Sequence, residues 1–173
     1  MRIFYSTFLF IVLCFGTIFV AGFVSDPEYR DSKSTLFDDK IENVWSVMTD
    51  VEGYIDNKKN IQRIEVTDKY FNTINSWDEF YPRGEVYSFE LVTKDSPNLF
   101  VLNISNKNRE IDRTLEYYLS QNGTNTKLTI TEISNSNHLF WRGVETLLGR
   151  NNFIERELKW IRVGLFEELI DNV

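Results

Sequence analysis

The sequence is poor in the side chains from which most small catalytic and metal centres are built. Its 173 residues include one cysteine, Cys14, and one histidine, His138. A single cysteine forms no internal disulfide, and neither a cysteine zinc cluster nor a paired-histidine metal site can be assembled from this set. A histidine-based triad would have to use His138, which follows Ser136-Asn137 at the expected start of a helix. Three prolines and eight glycines exclude collagen-like or linker-like sequence. Basic residues are outnumbered, 19 against 26 acidic, for a net charge of −7 with no basic run, so a phosphate backbone is repelled and nucleic-acid binding is not expected. No metal and no cofactor is expected either. Aromatic side chains are abundant, with 14 Phe, 8 Tyr and 4 Trp, and the balance of 42% hydrophobic to 26% charged residues is that of one globular domain with a sizeable core.

The longest uncharged stretch lies at the amino terminus. Ile3 to Val24 runs 22 residues without a charge, and at 1.5 Å per residue a helix of that length crosses roughly the 30 Å hydrocarbon layer of a bilayer. A cleaved signal peptide is the competing reading, with Arg2 as a minimal positive region and Val20-Ala21-Gly22 near a cleavage point. The length of the run favours an uncleaved anchor, residues 1–25, and hence a single-pass membrane protein; Leu13 before Cys14 is too large for a lipoprotein cleavage site. Residues 26–173 then form the soluble domain, which carries all 26 acidic side chains against 18 basic ones once Arg2 is set aside.

Within that domain, Tyr29 to Phe37 reads as a strand. A helix follows, with Ile41, Val44, Trp45 and Met48 on one stripe and Asp38 or Asp39 as its cap. Glu52 to Lys59 reads as a second short helix or turn. Six strand-like runs come next: 63–67, 77–81, 85–93, 99–105, 114–120 and 127–133, separated by turn chemistry at Pro82-Arg83-Gly84, Asp95-Ser96-Pro97-Asn98 and Gln121-Asn122-Gly123. The sheet is expected to be an antiparallel meander. Helical period returns over His138 to Leu148 and in a long terminal helix, where Ile154, Leu158, Ile161, Leu165 and Leu169 mark the apolar face. Trp160, Val163, Phe166 and Ile170 broaden that face, and Glu155, Arg156, Glu157, Lys159, Arg162, Glu167 and Glu168 are assigned to the other side.

This order of elements is that of the α+β helix-grip fold, a curved seven-stranded antiparallel sheet around a long C-terminal helix. The segment IENVWSVMTDVEGY, with Val44-Trp45, Asp50 and Tyr54, resembles the opening helix of the SRPBCC superfamily of START, polyketide cyclase and birch-pollen-allergen-like domains. IQRIEV, WDEF, RGEVYSFEL, LEYYL and KLTITE follow in the order of that superfamily's strands, and NHLFWRGVETLLGR is similar to its usual approach to the last helix. Two departures stand out: Phe37-Asp38-Asp39-Lys40 replaces the common Ala-Pro-Pro type turn, and Arg113-Thr114 stands where Gly-Thr is frequent. The resemblance implies a cavity between sheet and helix for a lipid or another hydrophobic small molecule.

Strand alternation independently selects the side chains that face such a cavity: Trp77, Glu79 and Tyr81; Tyr87, Phe89 and Leu91; Leu115, Tyr117 and Leu119; Leu128 and Ile130. Ile161 and Leu165 of the helix stand opposite. A register pairing Tyr117 with Leu128 sets Arg113 across from Glu132, either as a polar anchor at the cavity mouth or as a plain rim salt bridge. Glu79, turned inward, is either a carboxylate activated by burial or one bonded to a neighbouring Tyr or Arg. No residue carries a catalytic signature. The expected function is a membrane-anchored, non-enzymatic binding protein for a hydrophobic ligand. The alternatives are a cyclase or aromatase-like enzyme acting on a polyketide-like substrate, and an interaction module whose cavity its own aromatics fill.

Overall fold

The computed structural model describes residues 2–106, 111–148 and 152–171, and side chains as far as Leu165. Phe166 to Ile170, assigned above to faces of the last helix, lie outside the described side chains. Helix α1 (Arg2–Val24) is followed by strand β1 (Glu28–Phe37) and helices α2 (Ile41–Thr49) and α3 (Tyr54–Asn57). Strands β2 (Arg63–Tyr70), β3 (Thr73–Phe80), β4 (Val86–Asp95), β5 (Leu99–Asn106), β6 (Ile111–Asn122) and β7 (Asn125–Ser136) form the meander, and α4 (Leu139–Leu148) and α5 (Asn152–Asp171) close the chain. The seven strands make one antiparallel sheet in the order β1-β7-β6-β5-β4-β3-β2.

The expected strands are all present, and most extend further than the apolar alternation indicates. Polar residues such as Asp68, Ser76 and Asn135 still pair through their backbones, which hydrophobic period does not record. The cap of α2 differs from expectation. Lys40 occupies the N-cap position without a side-chain hydrogen bond, and Asp39 Oδ1 instead accepts from Asn43 Nδ2 and Lys40 N, both at 2.7 Å.

The β6–β7 register also differs. Asn122 pairs with Asn125, so the two-residue loop is Gly123-Thr124, with Gly123 taking the left-handed backbone (φ 67°) that glycine adopts at little cost. Tyr117 therefore pairs with Ile130 rather than Leu128, and Arg113 lies opposite Ser134. A shift of two residues leaves every side chain on its face. Arg113 remains a diagonal neighbour of Glu132 and still reaches it.

One core holds these elements together. Trp77, Phe89, Phe100, Leu102, Ile104, Leu115, Tyr117, Leu119, Leu128 and Ile130 from the sheet meet Val44, Trp45 and Met48 of α2 and Ile154, Leu158, Ile161 and Leu165 of α5. Each such side chain contributes roughly 1.5–3 kcal/mol on leaving water. The sheet curls around α5 because its inward face carries the bulky residues and its outward face the polar ones.

Candidate functional site

Of the thirteen residues singled out from the sequence, Ile161 and Leu165 lie on α5 and the other eleven on the side of the sheet turned toward it. Trp77, Glu79, Phe89, Leu115, Tyr117, Leu128, Ile130, Glu132, Ile161 and Leu165 are buried; Tyr87, Leu91 and Arg113 are half-buried. The rings occupy the space between sheet and helix. Trp77 stacks on Phe89 at 5.1 Å between centroids, Tyr54 meets Trp160 at 4.9 Å and Trp77 at 6.1 Å, and Phe100 meets Tyr117 at 5.9 Å. Edge-to-face and stacked pairs of this kind add to the area they bury.

Three polar clusters are set into this core. In the first, Glu79 is 0% exposed and receives three donors: Lys58 Nζ at 2.9 Å and Trp77 Nε1 at 3.2 Å on Oε1, and Tyr81 Oη at 2.6 Å on Oε2. The Lys58 ammonium is boxed by rings, 4.1 Å from the Tyr54 centroid, 5.0 Å from Trp160 and 5.2 Å from Phe89. In the second, Glu157 Oε2 accepts from Tyr117 Oη at 2.8 Å and Trp160 Nε1 at 2.7 Å. In the third, Arg113 Nε lies 2.9 Å from Glu132 Oε1, and Arg113 Nη2 donates to Glu145 Oε1 at 2.7 Å. Glu132 is buried beneath this pair and its Oε2 has no hydrogen bond. Where the sequence offers either a polar anchor or a rim salt bridge, the structure has a triad of one buried and two half-buried side chains.

Burial, reinforced by the neighbouring Glu79 and Glu157 carboxylates, pushes the Tyr54, Tyr81 and Tyr117 phenols well above their ordinary value. They remain protonated: Tyr81 and Tyr117 serve as donors to the two carboxylates, and Tyr54 donates to the Met48 carbonyl. Burial likewise raises Glu132 to about 7, against the opposing pull of Arg113.

The first two clusters back onto a cleft of about 570 Å³ between the α3–β2 connection, the β3–β4 connection and α5. Trp160, Tyr81, Pro82 and Val163 form its apolar wall. Lys58, Lys59, Arg83, Arg156 and Lys159 line it against two carboxylates, Glu85 and Glu157, an excess of positive charge on an acidic chain. Two of its rim residues, Asn60 (φ 78°) and Arg83 (φ 72°), hold left-handed backbone, which costs a non-glycine residue energy and is concentrated at binding sites. A second hollow, of about 800 Å³, lies on the outer face of the sheet, where Asp78, Glu90, Asn103 and Asp112 make it polar. Among the described residues no group of three or more His, Cys, Asp and Glu is placed to hold a metal ion.

None of the thirteen residues lines the cleft. Glu157 was assigned to the outer side of the last helix, yet it is buried: it stands three residues from both Ile154 and Trp160, so helical period already puts it on the apolar stripe. Lys58 had no such signal. It sits in Asn57-Lys58-Lys59-Asn60, where nothing in the sequence distinguishes the inward lysine from its neighbour. His138 is exposed at the entry to α4.

Comparison with known proteins rests on shape. No family model matches the sequence, and a search of curated proteins finds no match. Solved structures do match. They include norcoclaurine synthase from Thalictrum flavum in complex with dopamine and hydroxybenzaldehyde (TM-score 0.65, 12% identity, 82% of this chain and 87% of that one). The Zhui aromatase/cyclase from Streptomyces sp. R1128 matches with TM-score 0.65 and 11% identity over 81% and 93% of the two chains. A conserved protein from Geobacillus kaustophilus matches with TM-score 0.66 and 15% identity over 80% and 96%. The chain after α1 shares the fold of these structures, a helix-grip fold in which the curved antiparallel sheet holds the last helix. That fold hosts binding proteins and enzymes alike, so function has to be argued from the site.

Proposed function

We propose that the protein is a membrane-anchored binding protein for a hydrophobic small molecule that carries an anionic group. The observation that supports this most directly is the cleft beside α5, whose wall is aromatic and whose rim is cationic on a chain of net charge −7. An anionic end would meet Lys59, Arg83, Arg156 and Lys159, and an apolar end would lie on Trp160 and Tyr81. Tyr87 stands behind Tyr81 with ring centroids 5.5 Å apart, and Phe89 behind Lys58, so an apolar group that reached further would meet the inward residues selected from the sequence. The anchor is α1, whose segment Tyr5–Val24 is long and apolar enough to cross a membrane and is only 6% buried in the protein.

Calorimetric titration of the full chain in nanodiscs, with empty nanodiscs subtracted, tests the reading. Naphthalene-2-carboxylate is expected to bind and its neutral methanol analogue to bind more weakly. Charge reversal by Arg83→Glu with Lys159→Glu, both exposed, is expected to weaken the carboxylate roughly tenfold or more, equivalent to about 1.4 kcal/mol. If neither probe binds, or the reversed variant binds the carboxylate as well as the parent, the proposal fails. The ring contacts that fill the interior favour a second reading in that event, a helix-grip domain that serves protein contacts. An enzyme of the cyclase or aromatase kind has less support, since Glu79 and Tyr117 are both engaged inside the core.

A further inference from the structure

Helix α4 carries two charges, and neither is left to water. Arg142 is buried and its Nε donates at 2.5 Å to the Gly22 carbonyl, one of the last in α1 and without a partner inside that helix. Glu145 is held by Arg113. Thr146 Oγ1 bonds Ser25 Oγ at 2.9 Å and the Arg142 carbonyl at 2.8 Å. The exposed residues of α4 are apolar apart from Thr146, with Leu147 52% and Leu148 73% exposed and Leu139 also exposed.

The same helix lies directly on α1. A Cβ added at Gly143 would fall 1.9 Å from the Ile18 carbonyl oxygen, and one at Gly22 would fall 2.0 Å from that of Leu139, so the two backbones touch where both side chains are absent. The Phe140 ring stands 6.0 Å from Phe15 and 5.9 Å from Phe19. Phe15 precedes Val24 by nine residues, roughly 13 Å along a helix. An α1 that spans a bilayer therefore carries the amino end of α4 below the surface with it.

From this we infer that α4 is a second membrane-embedded element, seated against α1 in the leaflet from which the domain emerges, with Leu139 against acyl chains and Leu147 and Leu148, which follow the Thr146–Ser25 contact, where the acyl chains meet the head groups. Lipid is the occupant because this face continues the exposed apolar surface of α1 and because the two charged side chains of α4 turn away from it, Glu145 to Arg113 and the buried Arg142 to the Gly22 carbonyl. The consequence is orientation: the Arg113–Glu132 end of the sheet sits on the bilayer instead of swinging on Ser25-Asp26-Pro27. The inference rests on the anchor reading of α1.

Depth-dependent quenching in liposomes separates the two. A nitrobenzoxadiazole label is placed on native Cys14, near the middle of α1, and, in a Cys14→Ser background, on Leu147→Cys, Leu148→Cys or Asn122→Cys. The last is exposed on the distant β6–β7 turn. Cys14 is expected to be quenched best by lipids with a nitroxide at carbon 12, Leu147→Cys and Leu148→Cys by lipids with it at carbon 5, and Asn122→Cys by neither. Quenching at Cys14 with none at either α4 position overturns the inference and leaves the anchor intact. Absence of quenching at Cys14 overturns the anchor, and the inference with it.

Discussion

Lys58 and Glu79 form a buried ion pair at the floor of the cleft, with the carboxylate accepting three donors and the ammonium boxed by rings. Removing one partner strands the other. Lys58→Met is expected to cost on the order of 3–5 kcal/mol, and Lys58→Met with Glu79→Gln to recover much of that, as read from urea midpoints. A single variant with the parent's midpoint would show that the pair is not buried. Glu132 behaves differently. Burial raises it from 4.5 to about 7, with Arg113 and Arg156 opposing the shift and Glu145 and Asp31 adding to it. The fold therefore favours the neutral acid: the contribution is fully present below about pH 4.5 and is lost as pH rises through about 7, to the extent of roughly 3 kcal/mol. Thermal midpoints of the parent are expected to fall by several degrees between pH 5 and 8 relative to Glu132→Gln. Parallel curves for the two proteins would refute the assignment.

Among the elements, α5 is the one the sheet is built around. Leu158 and Ile161 are buried on its inner face, so Leu158→Ala or Ile161→Ala removes apolar area and leaves a cavity, at an expected cost of 2–5 kcal/mol each. Unchanged urea midpoints for both would mean that the helix does not lie in the grip of the sheet. The places of α2 and α5 and the number of strands were legible from apolar period, because each of these elements buries one face and exposes the other. The β6–β7 register was not, since Asn122-Gly123 and Gly123-Thr124 both satisfy the turn chemistry and only the whole ladder selects between them. The inward face of β5, with Phe100, Leu102 and Ile104, has the same alternation as its neighbours and completes the wall behind Tyr117.

For the whole molecule, the decisive question is whether α1 remains attached. Gly22 and Arg142 interlock α1 with α4, and cleavage near Phe23 would expose the Gly143 face and leave Arg142 without its carbonyl partner. Intact mass is expected to show that residues 3–24 are retained. The protein is expected to stay in the pellet after carbonate extraction. A soluble chain beginning near Phe23 would overturn the anchor. Retention also matters for the cleft: an acidic domain is repelled by anionic lipid, so a tether is what would keep a cationic, aromatic-walled opening near a membrane-borne ligand.

The sequence by itself determined the architecture. Hydrophobic period, turn residues and one long apolar run each act locally, and together they specify a lone apolar helix followed by a helix-grip domain. It also determined which faces turn inward, because alternation along a strand survives even a two-residue slip. Only the tertiary structure decided what the inward residues do. Ring–ring contacts between Trp77, Phe89, Tyr54 and Trp160 join positions far apart in the chain, and they fill the space the sequence left open. The cleft draws its cations from three separated segments, around Lys59, Arg83 and Arg156, and α4 meets α1 across more than a hundred residues. Such sites depend on where distant segments come to rest, and that is set by the packing of the whole core rather than by any local pattern.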